Sequence, residues 1–154
     1  MTPVAPVAPI GTRPVVRVVA PCGALTRTHH DPLAAGLTRL ERAGCEVRWD
    51  ERQARRNHRG YLAGTDSERA EALIDALTEA DVDIVWIARG GSGMARIAER
   101  VIERARRLAP RALIGFSDVT SLLNVLTSRL GWVTFHGPVI TSLGRPKVHP
   151  FDLD

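Results

Sequence analysis

Three short segments of this chain place reactive or anion-binding groups beside glycine. Gly-Phe-Ser-Asp at 115–118 puts Ser117 directly after an apolar run and directly before a helical pattern. A serine on such a strand-to-helix turn is lifted above the sheet, beside the positive end of a helix. The amide of the next residue, here Asp118, then points at a developing oxyanion. The segment is not the usual G-x-S-x-G, because Val119 stands where the second glycine would be. The competing reading is that Ser117 or Asp118 only caps the helix.

Arg-Gly-Gly-Ser-Gly at 89–93 is the second segment. Its glycine turn opens a helix and suits an oxyanion or a phosphate. It fails the dinucleotide fingerprint, since Arg96 occupies the third glycine's place, and it lacks the lysine of a P-loop. A plain tight turn is the alternative. The third segment, Ala-Pro-Cys-Gly at 20–23, offers Cys22 as a thiol, although a cysteine there is more commonly buried. The five histidines, at 29, 30, 58, 136 and 149, show no metal-ligand spacing. His29 and His30 fall in an expected loop, and His136 alone ends a strand near Ser117. No metal or cofactor is expected.

The elements that would carry these segments alternate regularly. Apolar runs at 15–20, 46–49, 83–88, 112–116 and 133–135 are β-branched and nearly continuous, as in strands covered on both faces. Between them, Leu33, Leu37 and Leu40 share a helical face, with Gly44 as a stop. Thr65 and Glu68 form a capping box ahead of Ala70, Leu73, Ile74 and Leu77. Met94, Ile97, Val101 and Ala105 form a third stripe. Leu122, Leu123, Leu126 and Leu130 form a fourth, before Gly131. The pattern predicts an α/β fold, a mostly parallel five-stranded sheet with helices on both faces. The long polar connection at 50–64 is of the kind that often carries function. No strand or helix is expected after Pro138.

Composition narrows the class. The chain has 154 residues, 44% hydrophobic and 25% charged, which suits one globular domain. A chain of this size buries roughly 70% of its unfolded surface without staples. The net charge is +4, yet Lys147 is the only lysine and the arginines are dispersed. With 5% aromatics they read as solvated helix faces rather than a nucleic-acid surface. No run approaches the roughly 20 apolar residues of a membrane span. Residues 1–14, with prolines at 3, 6, 9 and 14, read as a disordered leader and not a secretory signal. Cys22 and Cys45 are expected at opposite strand ends, as free thiols.

Five segments in order resemble a known family: 19–23, 61–69, 88–93, 115–120 and Thr-Phe-His-Gly-Pro at 134–138. Together they are similar to the N-terminal domain of the LD-carboxypeptidases, serine peptidases that include the microcin immunity proteins. The resemblance covers about residues 15–145. It implies a flavodoxin-like or class I glutamine amidotransferase-like sheet and a domain at 15–140, with 141–154 a linker towards a further domain. It also implies a cytoplasmic hydrolase of peptidoglycan recycling that removes the terminal D-alanine of murein tetrapeptide. Ser117 matches the nucleophile, and the amides of Asp118 and Gly91 match the oxyanion hole. Gly90, Ser92 and His136 fall at substrate-binding positions.

Two departures touch substrate contacts: Ser92 stands for a usual tyrosine and Cys22 for a usual serine. The Glu and His of the family triad come from a second, C-terminal domain, which this chain ends before. The isolated chain is therefore expected to be inactive, with a separate chain supplying that domain as one option. The resemblance also points towards a homodimer. A non-catalytic peptide-binding module and a phosphate- or nucleotide-binding α/β domain remain as alternatives.

Overall fold

A computed structural model describes residues 10–146. Residues 1–9 of the expected leader, and 147–154 with Lys147 and His149, lie outside the described residues. The elements run β1 (Val15–Val19), α1 (Arg27–Arg42), β2 (Glu46–Arg48), α2 (Arg52–Arg55), α3 (Asp66–Thr78), β3 (Ile84–Ile87), α4 (Met94–Ala105), β4 (Ala112–Gly115), α5 (Thr120–Leu130), β5 (Thr134–His136) and α6 (Ile140–Leu143), with a 3₁₀ turn at Ser117–Val119. The strands pair all-parallel in the order β2-β1-β3-β4-β5. The order reverses at β1 and β3, and it is outside the carboxyl ends of such a pair that open parallel sheets bind ligands.

Each face of the sheet buries its own core. One cluster joins Leu73 and Leu77 of α3, Ile97 and Val101 of α4, and Leu122 and Leu126 of α5 to Val85 and Leu113 of the sheet. The other joins Val16 and Val18 to Leu33 and Leu40 of α1 and Ile140 and Leu143 of α6. The near-continuous apolar strands follow from this double burial.

Helix boundaries follow local chemistry. Thr65 Oγ1 accepts from the Glu68 amide (3.2 Å), and the Thr65 amide donates to Glu68 Oε2 (2.8 Å), closing the expected capping box of α3. Gly44 and Gly131, at φ 91° and 70°, end α1 and α5.

Three expectations need correcting. His29 and His30 belong to the first turns of α1, not a loop. There His29 completes a capping box with Thr26, whose amide donates to Nδ1 (3.2 Å). The polar connection at 50–64 contains α2, whose buried Gln53 accepts from the Ala20 amide at the end of β1 (3.0 Å). The chain after Pro138 is not patternless, because α6 packs on α1. A Cβ at Gly36 would overlap the Ile140 carbonyl, so the absence of a side chain on α1 lets the two helices meet. A four-residue helix is too short to show a period, which is why the pattern missed it.

Candidate active site at the carboxyl edge of the sheet

The loops after β1, β3 and β4 converge. The Gly23 amide donates to the Gly90 carbonyl (3.0 Å), joining the first two. A Cβ at Gly90 would lie 2.7 Å from Ser117 Cβ, so the third loop presses on the second at a position only glycine can occupy. Gly91 has φ 127°, and a Cβ there would meet Gly23 at 2.8 Å. Two constraints, conformational and steric, thus demand glycine at 91.

Ser117 itself has φ 70°. Among the described residues only Arg59 and Ser117 adopt positive φ without being glycine. Ser117 is solvent-exposed, and among the described residues its hydroxyl makes no hydrogen bond. Neither its side chain nor that of Asp118 caps the following helix. Asp118 instead accepts from the amide of Met94, the first residue of α4 (2.8 Å). Its carboxylate thereby ties the serine turn to the helix opened by the glycine turn. The Gly91 and Asp118 amides donate to no carbonyl among the described residues; Asp118 follows Ser117 in the chain, and Gly91 follows Gly90, the glycine that packs on Ser117.

Arg69 holds this arrangement from below. Its side chain is fully buried; Nη1 donates to the Pro21 carbonyl (2.6 Å) and the Gly93 carbonyl (3.1 Å), and Nη2 to Asp66 Oδ1 (2.6 Å). One guanidinium therefore links the β1 loop to the glycine turn. Asp66 also receives Arg96, and that pair first, then Arg69, lowers its carboxyl to about 2. Sequence reasoning passed over Arg69. The available signal was a charge on the apolar stripe that continues through Leu73 and Ala76. Arg89 was likewise not singled out; it donates to the Ala24 carbonyl and leads into the glycine turn.

The remaining candidates divide. His136 pairs in register with Gly115, and its ring meets Phe116 edge-on at 6.2 Å. It is exposed and makes no hydrogen bond to Ser117. Ser92 is exposed at the tip of the glycine turn. Cys22 is fully buried; burial first, then the Asp118 carboxylate, pushes its thiol well up, the opposite of an activated nucleophile. Both cysteines are free. A cavity of about 200 Å³ opens beside Gly90, Gly91 and Phe116, walled on its far side by α6. Tyr61 and Phe116 stand exposed at this edge.

Residues 16–137 match the family model of the LD-carboxypeptidase N-terminal domain. The chain belongs to the LD-carboxypeptidase family. Two LD-carboxypeptidase relatives show the extent of the match. The murein tetrapeptide carboxypeptidase of Pseudomonas aeruginosa is 38% identical over 130 residues, covering 84% of this chain and 40% of the relative. A protein of Bacillus subtilis named as a probable murein peptide carboxypeptidase is 38% identical over 119 residues, covering 77% and 37%. The fold matches that of MccF solved in complex with glutamyl sulfamoyl guanosine, with a TM-score of 0.81 at 22% identity over 96% of this chain and 44% of that one. An MccF-like protein from Bacillus anthracis gives 0.79 at 22%, over 94% and 42%. The chain spans about 25–41% of the length of the curated relatives it matches. Among the described residues no helix is long and apolar enough to cross a membrane.

Proposed function

We propose that this chain is the nucleophile-bearing N-terminal domain of a serine carboxypeptidase that removes the terminal D-alanine of murein tetrapeptide, in cytoplasmic peptidoglycan recycling. The observation that carries the reading is Ser117 at φ 70°, exposed and pressed against Gly90, with the amides of Asp118 and Gly91, the residues next in chain to each, left undonated to any carbonyl among the described residues. Such strain at an exposed serine is retained where geometry serves chemistry.

Ser117 Oγ attacks the scissile carbonyl carbon, and its proton passes to a histidine base. The carbonyl oxygen becomes an oxyanion held by the Gly91 and Asp118 amides. Collapse breaks the C–N bond, the histidine returns the proton to the departing D-alanine amine, and water releases the acyl group. Among the described residues no histidine bonds Ser117, so the base and its acidic partner come from a second domain, as the family resemblance implies. Tyr61 and Phe116, 53% and 37% exposed, support a covering domain at this edge. Without it the chain is essentially inactive, since an oxyanion hole alone supplies only residual catalysis.

The test is release of D-alanine from murein tetrapeptide. The purified chain releases none. Fused to the C-terminal remainder of the Pseudomonas aeruginosa relative it releases D-alanine, and Ser117→Ala in that fusion lowers the rate by about 10⁴-fold or more. A folded fusion that is silent, or whose release survives Ser117→Ala, overturns the reading.

A further inference from the structure

The cavity beside Gly90 has an unusual lining. His29 from the first turn of α1, Arg89 from the end of β3 and Arg145 from just past α6 all face it, and no carboxylate does. Several arginines elsewhere are paired, among them Arg48 with Glu79 and Asp81, Arg96 with Asp66, and Arg100 with Glu71. Among the described residues Arg89 and Arg145 make no ion pair, and Arg89 spends one donor on the Ala24 carbonyl. Two uncompensated guanidinium groups in a concave site attract an anion and offer forked donors to it. Burial first, then Arg89 and more weakly Arg145, lower the His29 pKa. With Nδ1 accepting from the Thr26 amide, Nε2 carries the proton and is a third donor.

Position selects the anion. Gly90 walls the cavity on one side and packs on Ser117 with its other, so cavity and nucleophile are one glycine apart. When a peptide loses its last residue, the terminal carboxylate lies one residue past the scissile carbonyl, roughly 3.5 Å of chain. A cationic cavity sharing a wall with the nucleophile is where that carboxylate falls.

We propose that this cavity is the subsite for the C-terminal carboxylate of the peptide, with Arg145 and Arg89 as its cationic partners. The inference rests on the reading of Ser117 as nucleophile. Its function is to admit peptides that end one residue past the scissile bond and to reject amidated or longer ones. Arg89 is anchored by Ala24, whereas Arg145 is exposed and its side chain makes no hydrogen bond among the described residues, which makes it the variant least able to disturb the fold.

The experiment titrates the full chain with murein tetrapeptide ending in D-alanine and with the same peptide ending in D-alanine amide, followed by NMR shifts of the chain. The free acid binds about 10-fold or more tightly than the amide, the scale of a lost charge-assisted contact. Arg145→Gln brings the two within about 3-fold, mainly by weakening the acid. Equal affinities in the unaltered chain, binding of neither peptide, or an unchanged ratio in Arg145→Gln each overturn the proposal. Inorganic phosphate binding more tightly than the free-acid peptide overturns it too, by assigning the cavity to a phosphate ligand. If the fusion releases D-alanine through Ser117 while acid and amide bind alike, the subsite fails and the catalytic reading stands. The reverse result separates them the other way.

Discussion

Ser117 and Gly90 make a conformational trade. A residue with a Cβ in the left-handed region stores of the order of 1 kcal/mol, and Ser117 sits there at φ 70°. Ser117→Gly is expected to raise stability by about 0.5–1 kcal/mol, while Ser117→Ala, which keeps the Cβ, raises it little. Gly90→Ala has the opposite sign. Its Cβ would land 2.7 Å from that of Ser117, and overpacking of this kind costs about 1–3 kcal/mol. Urea denaturation of the three variants checks the ordering, and a Ser117→Gly chain less stable than the parent would refute the strain account.

Arg69 acts at the scale of elements, because α3 uses it to fasten loops it does not belong to. Arg69→Met keeps the bulk but strips the Pro21 and Gly93 carbonyls of their donor, costing about 3 kcal/mol or more. It also loosens the turn carrying Gly91; in the active fusion it lowers kcat more than it raises KM, a split that simple destabilisation does not produce. The Asp66 end of the same network makes a pH prediction. Its folded pKa, about 2, lies below the unfolded value of roughly 3.9, so its stabilisation is complete above about pH 4. It is lost as pH falls through about 2. The thermal midpoint should therefore drop between pH 4 and 2, and Asp66→Asn should flatten that drop.

The same elements show what sequence pattern can carry. Double-sided burial writes itself as the continuous β-branched runs at 15–19 and 84–87, so the parallel sheet was readable. Capping at Thr65 was local, and so readable as well. The convergence of 20–23, 89–93 and 115–118 followed from their shared place at strand ends. Arg69 was not readable as a fastener, because its partners at Pro21 and Gly93 lie 48 and 24 residues away. The box at Thr26 was missed because histidine at its third position is not the usual Glu or Gln. α6 has too few residues for periodicity, and its docking depends on a missing side chain at Gly36.

At the scale of the whole molecule, two separate apolar clusters share one sheet, and the tryptophans are divided between them. Trp132 is buried in the α3–α4–α5 cluster, whereas Trp49 and Trp86 pack against the α1–α6 cluster. Trp86 Nε1 also donates to the Pro138 carbonyl (2.7 Å), just ahead of α6. Each face therefore carries its own natural emitter. With Trp132→Phe, the remaining fluorescence reports the α1–α6 side alone; with Trp49 and Trp86 both replaced by Phe, it reports the other. Because the strands are common to both sides, each variant's emission midpoint in urea is expected to coincide with its own far-ultraviolet circular dichroism midpoint. An earlier emission change on the α1–α6 side would mean that the wall bearing Arg145 can peel away while the rest of the sheet stays folded, and the colour of two indoles would then time the opening of the carboxylate cavity.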